Sequence, residues 1–346
     1  MKTGIFWGLA AGLTLVLGSA MAAPAPAYTL SKVVPIGVPD RWDYLHYDAP
    51  SHRVYIAHGA ELSVINGDSG ALVGVVTGMP GGTHGIAISH ATNQGFTDDG
   101  EAGEAVAFNL KTLAVEKRIK AAPDADGIFF DHLSDTVYVI DGDSGELTAI
   151  NPRTDKVIAT VHVGSKLEFG VSGENGFAYV NAVKKHEIIR FDTRTNRVDA
   201  RWLMPHCLSP RGLAIDIRSH RLFSTCGNGV MVVMNADNGV VLHEFAIGRG
   251  SDAARFDPKT QIAFSSNFDG TLSMVREVSP DKFVALPAVK TELGARTMTL
   301  NPQTGRIYLV TATIHINLKA SPNDYHHRYE IAPGSVRVLF LDPAQH

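Results

Sequence analysis

The chain has 346 residues, 45% of them apolar and 19% charged, and its 31 Lys and Arg against 35 Asp and Glu give a formal net charge of −4. This composition agrees with a globular protein that buries a large core within one domain. The weak net acidity gives no electrostatic footprint for duplex DNA, so we expect no nucleic acid partner.

The first 22 residues have the pattern of an export signal. Lys2 gives a positive start, an apolar stretch follows over 5–17, and Ala20-Met21-Ala22 supplies small residues before a cleavage site. We predict a Sec signal peptide over 1–22, cleaved after Ala22, then a flexible lead-in over 23–27. The mature protein is expected to be periplasmic or secreted, with no transmembrane segment. The alternative is an uncleaved anchor.

Along the rest of the chain, seven polar or charged residues recur at successive spacings of 41, 42, 42, 43, 41 and 44 residues. Each opens an apolar strand, a turn, and a second strand rich in aromatic and β-branched residues, such as VYIAH at 54–58. A third and a fourth strand follow. Repeats of 40–50 residues are typical of four-stranded propeller blades. The seven residues are Asp43, His84, Asp126, Glu168, Arg211, Asp252 and Arg296.

The two ends of the repeat array complement each other. The last repeat has strands at 296–301, 306–312 and 335–342 and lacks a fourth, while an unpaired strand at 28–36 precedes the first repeat. Letting this strand complete the last blade leaves no open sheet edge. We therefore predict an all-β protein, a single seven-bladed β-propeller over 28–343 whose last blade is closed by the N-terminal strand.

The strands VYIAH, VYVID, FAYVN and IYLVT resemble the YVTN repeats of seven-bladed propellers. The run from CLSPRGLAIDIRSHRLFSTC to GARTMTLNPQTGRIYLVTA resembles bacterial YncE-like proteins. The resemblance covers the mature chain and implies the fold and export. It does not choose a function, because related propellers include lactonases, lactonising enzymes, a lyase acting on a lactone antibiotic, haem d1 domains and binding modules.

Two kinds of ligand suit the ring of seven polar residues. Adjacent Asp43, His84 and Asp126 could hold a divalent metal ion such as Ca²⁺, Mg²⁺ or Zn²⁺. Arg211 and Arg296 could hold a carboxylate or phosphate in bidentate fashion. The ring is therefore a candidate site for a small anionic ligand, with or without a metal. Alternatively, these side chains only line a wet tunnel and pair with one another.

The chain has two cysteines, Cys207 and Cys226, and the predicted export places them in an oxidising compartment. Cys207 lies in the connection before Arg211, and Cys226 ends the second strand of the same blade. These two positions lie at the same face of a propeller, so we predict a disulfide that braces the rim beside Arg211. The alternatives are two buried thiols, or a metal or redox pair.

A 22-residue stretch at 313–334 lies between the second and third strands of the last blade. It carries His326 and His327 and should overhang the same end of the channel as the ring. Long insertions in compact domains are usually functional or disordered. We interpret this one as a partial lid that adds His326 and His327 to the ligand site. A mobile loop without a role is the alternative.

The sequence thus predicts a monomeric propeller that binds a small anionic ligand, a metal ion or a periplasmic protein partner in its central funnel, without catalysis. The alternative is an enzyme of the lactonase or lyase type. By resemblance to the lactonising and lactonase propellers, His84 or Glu168 would then act as general acid or base. Arg211 and Arg296 would stabilise an enolate or carboxylate.

Overall fold

The computed structural model of the protein describes residues 1, 27–321 and 328–344. The predicted signal peptide and the pair His326 and His327 lie outside these residues. Within them, no helix has the length and apolar character needed to cross a membrane.

Across the described residues, 28 strands form seven antiparallel four-stranded sheets, the blades of a propeller. The strands of each blade are given from the channel outwards. Blades 1 to 3 consist of β2 (Leu45–Asp48), β3 (Arg53–His58), β4 (Glu61–Asn66) and β5 (Leu72–Thr77); of β6 (Ile86–Ser89), β7 (Gln94–Asp99), β8 (Glu104–Asn109) and β9 (Val115–Lys120); and of β10 (Ala125–Asp131), β11 (Thr136–Asp141), β12 (Glu146–Asn151) and β13 (Lys156–His162). Blades 4 to 6 consist of β14 (Leu167–Ser172), β15 (Phe177–Ala182), β16 (Glu187–Asp192) and β17 (Arg197–Leu203); of β18 (Pro210–Asp216), β19 (Arg221–Cys226), β20 (Val230–Asn235) and β21 (Val241–Ala246); and of β22 (Ser251–Asp257), β23 (Ile262–Asn267), β24 (Thr271–Ser279) and β25 (Lys282–Lys290). Blade 7 consists of β26 (Thr297–Leu300), β27 (Ile307–Thr311), β30 (Val336–Pro343) and β1 (Tyr28–Gly37).

The blades close into a ring. Each innermost strand contacts the innermost strands of both neighbouring blades, and β26 of blade 7 contacts β2 of blade 1. Blade 7 is completed by β1, which pairs antiparallel with β30 from Tyr28 opposite Pro343 to Gly37 opposite Val336. The predicted seven-bladed propeller, with its last blade closed by the N-terminal strand, is confirmed.

The core lies between blades. Seven hydrophobic clusters of described residues occur, one at each blade-to-blade interface. The second strand of a blade faces a neighbour on both sides, so β3 is buried from Val54 to His58 and β11 is buried throughout. Strands buried on both faces read as continuous apolar runs rather than alternating ones. This burial accounts for the aromatic, β-branched sequence of the second strands.

A tyrosine in the second strand fastens several blades to the next. The hydroxyl of Tyr179 in blade 4 donates to the carbonyl of Ala236 in blade 5, at 3.0 Å. The hydroxyl of Tyr308 in blade 7 donates to the carbonyl of Gly67 in blade 1, at 2.9 Å. Each bond satisfies a turn carbonyl and a buried hydroxyl together, so the tyrosine contributes more than apolar area.

Glycine after a ring residue lets the innermost strands approach closely. A Cβ on Gly85 would lie 2.8 Å from the backbone nitrogen of Ile128 in the next blade. A Cβ on Gly212 would lie 2.4 Å from the backbone nitrogen of Ala254. Since real Cβ atoms do not approach backbone so closely, these two positions require glycine to keep neighbouring blades together.

The predicted disulfide is confirmed. Cys207 and Cys226 are bonded with Cα atoms 5.2 Å apart, and both residues are fully buried. Cys226 lies opposite Pro210 in the β18–β19 pair, one residue before Arg211. The bond therefore braces the strand that presents Arg211, and the alternatives of free thiols or a metal pair are wrong. It also suggests that the protein resides in an oxidising compartment.

The insertion in blade 7 contains a two-stranded hairpin of β28 (Ile314–Ile316) and β29 (Tyr329–Ile331). The ring of Tyr329 packs edge-on against Phe268, a turn residue of blade 6, with centroids 4.8 Å apart. The hairpin therefore lies over the blade 6 side of the channel, at the end that carries the ring residues.

Candidate functional site

All seven ring residues line one cavity of about 870 Å³ at one end of the channel, which we call the upper cavity. Its volume is within the range of sites for small organic ligands. The strand-to-strand turns and the connections between blades supply the rest of the wall. The repeat period therefore translates into a single site.

Hydrogen bonds that cross between blades hold the main chain of the ring in place. The side-chain amide of Asn181 in blade 4 donates to the carbonyl of Arg211 in blade 5, at 2.7 Å. The hydroxyl of Ser266 in blade 6 donates to the carbonyl of Arg296 in blade 7, at 2.5 Å. The hydroxyl of Thr297 donates to the carbonyl of Asp43 at 2.7 Å. The ring side chains therefore project from a fixed backbone.

Both arginines of the ring pair with the acidic ring residue of the preceding blade. Arg211 Nη1 lies 2.5 Å from Glu168 Oε1, and Arg296 Nε lies 3.0 Å from Asp252 Oδ2. The side chain of Arg211 is still 40% exposed and that of Arg296 34% exposed, so each guanidinium keeps donors on the cavity surface. The side of the ring formed by blades 4 to 7 is thus a row of two ion pairs.

His84 is a cation rather than a neutral imidazole. Its Nδ1 lies 2.5 Å from Oδ2 of Asp98, a buried carboxylate at the end of β7 that also accepts the backbone N–H groups of His84 and Gly85. Burial alone lowers the pKa of His84, but Asp98, Asp43 and Asp126 together raise it to about 10. The imidazole is therefore protonated at neutral pH and held in a fixed orientation.

Three ring carboxyls have pKa values raised to about 7: Asp43, Asp126 and Glu168. Burial is the main cause in each. The negative charge of Asp252 raises the pKa of Asp43 further, whereas Arg211 partly offsets the rise at Glu168. The net charge of the upper cavity therefore becomes more negative as the pH rises through neutrality.

The tentative metal site is not supported. Within residues 27–321 and 328–344, no group of three or more His, Cys, Asp or Glu side chains is placed to hold a metal ion. Asp43, His84 and Asp126 share the cavity wall without forming such a group. Asp98 engages Nδ1 of His84 at 2.5 Å and raises the pKa of the imidazole, so a metal ion would have to displace a proton from His84.

Sequence reasoning missed further charged residues on the wall of the upper cavity. Arg41, Asp124 and Lys166 each precede a ring residue by two positions, and Arg249 precedes Asp252 by three. A search at that offset in the repeat would have found the first three. The side chains of Arg41 and Arg249 are exposed, and neither makes an ion pair or hydrogen bond with the described part of the chain.

Tyr44 forms the floor of the upper cavity. Its ring stacks on Phe169 with centroids 4.6 Å apart, and its hydroxyl donates to the carbonyl of Asp252. Tyr44 also lines a second cavity of about 600 Å³ at the other end of the channel, which we call the lower cavity. The channel is therefore divided at the Tyr44–Phe169 stack into two compartments.

The hairpin borders the upper cavity between blades 6 and 7. Tyr329 lines it, together with Phe268 and Arg296. The same three residues, with Ile314 and Ile331 of the hairpin, enclose a smaller recess of about 140 Å³. The described part of the insertion thus lies beside Arg296 on the cavity wall, and its role as a partial lid stays a prediction. His326 and His327 lie outside the described residues.

Comparisons with known proteins give the fold and no more. No family model matches the chain, and no curated protein matches it. Among solved structures, hydrazine synthase from Kuenenia stuttgartiensis is similar, with a TM-score of 0.67 and 11% sequence identity over 77% of this chain and 91% of that chain. At this identity the likeness supports the propeller architecture and carries no information on the ligand.

Proposed function

We propose that this chain is an exported, YncE-like propeller that binds a small anionic ligand in its upper cavity without converting it. The disulfide and the signal-like N-terminus support export. The YVTN-like strands, each buried between two blades, support the family. Binding is assigned to the upper cavity because the seven repeat-phased polar residues meet there.

One observation carries the choice of an anion. The guanidinium groups of Arg41 and Arg249 stand on the cavity wall without an ion-pair partner in the described part of the chain, although the backbone N–H of Arg249 donates to Asp269. They lie beside the paired Arg211 and Arg296. An unpaired guanidinium gains two charge-assisted hydrogen bonds from one carboxylate or phosphate. A ligand with two anionic groups uses this arrangement best.

Calorimetric titration of the purified mature protein at pH 6 and low salt tests the proposal. The probes are succinate, citrate and inorganic phosphate, with succinamide as the neutral counterpart of succinate. We expect at least one anion to bind and Arg41→Gln combined with Arg249→Gln to weaken it about tenfold or more. The control is Arg197→Gln, an exposed arginine on the outermost strand of blade 4.

Two results would overturn the anion site. One is that none of the three anions binds, or that succinamide binds as well as succinate. The other is unchanged affinity in the double variant, which would place any bound anion elsewhere. In that case capture of a periplasmic protein partner on the same face becomes the better hypothesis.

A lactonase or lyase activity is the second candidate, favoured by the pKa of Glu168. At about 7, this pKa suits a general acid or base at neutral pH, and the Arg211 ion pair orients the carboxyl. His84 serves less well as a base because Asp98 keeps it protonated. Turnover of simple γ- and δ-lactones that disappears in Glu168→Gln but persists in Arg197→Gln would establish the enzyme.

A further inference from the structure

A second ring of seven residues lines the lower cavity. Each lies three positions after a residue of the upper ring, so the same repeat period places them at one level of the channel. The members are His46, Ala87, Phe129, Val171, Ala214, Arg255 and Thr299. The upper ring has an ionisable side chain at every position, whereas the second ring has both polar and apolar side chains.

The second ring has a polar side and an apolar side. Blades 6, 7 and 1 contribute Arg255, Thr299 and His46, whereas the other four blades contribute Ala87, Phe129, Val171 and Ala214. Further apolar side chains of the cavity, including Ile88 and Ile128, extend the apolar side. A ligand in this compartment would therefore meet polar groups on one side and hydrocarbon on the other.

Arg255 is a cation without a counter-ion. Its Nη1 donates to the carbonyl of Ala254 at 2.9 Å, and its Cζ lies 5.3 Å from the ring centroid of Phe169. No carboxylate in the described ranges pairs with it. A guanidinium has five N–H donors, so most of those of Arg255 have no acceptor within the described chain. Arg255 is half-buried in the cavity wall, so an anionic group that enters the cavity would find these donors available.

The neighbouring groups do not compensate this charge. Burial and the charge of Arg255 lower the pKa of His46 to about 4, so the imidazole is neutral at pH 7. Two carboxylates line the cavity: Asp48 is hydrogen-bonded to His90, at 2.8 Å, and to Ser51, and Glu174 makes no ion pair with Arg255. Thr299 accepts the backbone N–H of Tyr47 at 3.1 Å. The polar side of the ring thus presents one uncompensated positive charge.

We propose that the lower cavity is a second, separate binding site, for a small organic acid with one anionic group and an apolar body. The anionic group pairs with Arg255 beside Thr299 and His46. The apolar body lies against Phe129 and Val171 on the opposite side. The Tyr44–Phe169 stack keeps this site apart from the upper cavity, so the two can be occupied independently.

The test uses 4-phenylbutyrate and its neutral amide, 4-phenylbutanamide, in calorimetric titrations of the mature protein. Methyl NMR spectra of Ile88, Ile128 and Val171 report where each compound binds. We expect the acid to bind at least tenfold more tightly than the amide, with shifts at these methyl groups. Arg255→Gln should reduce the acid to the level of the amide. Arg197→Gln is the matched control.

Several outcomes would overturn the second site. These are equal binding of acid and amide, no binding of the acid to wild type, methyl shifts confined to other residues, or unchanged affinity in Arg255→Gln. The comparison of acid with amide needs no variant, so it decides the question even if Arg255→Gln fails to fold. Loss of binding in Arg41→Gln combined with Arg249→Gln, but not in Arg255→Gln, would assign the acid to the upper cavity.

Discussion

At the scale of single residues, Asp126 links the upper cavity to stability. Burial raises its pKa to about 7, against about 3.9 in an unfolded chain. The folded state therefore binds the proton more tightly, and stability falls as the pH rises from about 4 to about 7. Above pH 7 the ionised carboxyl is retained at a cost in free energy. Such costs are typical of sites shaped for binding rather than for stability.

We expect Asp126→Asn to remove this cost. The free energy of unfolding in urea should increase relative to wild type by roughly 1–2 kcal/mol at pH 8, with a smaller gain at pH 5. Asp143→Asn is the control, because Lys166 lowers the pKa of that exposed carboxyl and its loss should bring no gain at pH 8. An equal effect of Asp126→Asn at both pH values would contradict the raised pKa.

The His84–Asp98 pair gives a second prediction at this scale. Without the Asp98 carboxylate, burial pulls the pKa of His84 down, opposed only by more distant carboxyls such as Asp43 and Asp126. In Asp98→Asn we expect the pKa of His84 to fall by about two units or more. An NMR titration of the imidazole resonances, with the exposed His162 as internal reference, measures it. A pKa unchanged by the substitution would mean that other groups hold the proton.

At the scale of single elements, the second strand of each blade is the main structural unit. It packs on both neighbouring blades and carries the tyrosines that hydrogen-bond across the interface. The same strand also reaches the site, since Asp98 of β7 orients His84 and Asn181 of β15 holds the carbonyl of Arg211. Stability and site geometry therefore depend on the same strands.

Tyr179→Phe tests the hydrogen bond between blades. The substitution keeps the buried ring and removes the donor to Ala236, so the free energy of unfolding should fall by about 1 kcal/mol. Tyr55→Phe is a matched control, because the polar groups beside the buried hydroxyl of Tyr55, Arg53 and Ser51, belong to its own blade. Its loss removes no hydrogen bond between blades and should cost less than the loss of the Tyr179 hydroxyl. If both variants lose the same free energy, the hydrogen bond is not the cause.

At the scale of the whole molecule, the sequence predicts the features that follow from the repeat period, namely the number of blades and the positions of residues within them. The period places Asp43 through Arg296 on one cavity wall, and blade topology brings Cys207 to Cys226. Pairing within the ring was one alternative from the sequence, but the choice of Glu168 as the partner of Arg211 and the protonation of His84 depend on rotamers and burial, which the sequence does not give. Arg255 was overlooked, since the apolar residues at most equivalent positions hide the second ring.

Closure by β1 gives the last prediction. Removing residues 27–37 would leave the edge of β30 unpaired and expose the blade 7 core. Because open sheet edges promote aggregation and lost core contacts lower stability, we expect the shortened chain to aggregate or to melt about 10 °C lower or more. The synthetic peptide YTLSKVVPIG, added in trans, should pair with β30 and restore the melting temperature by strand addition. A peptide of the same composition in scrambled order should not restore it. Wild-type stability without the segment, or equal rescue by both peptides, would show that the ring closes by other means.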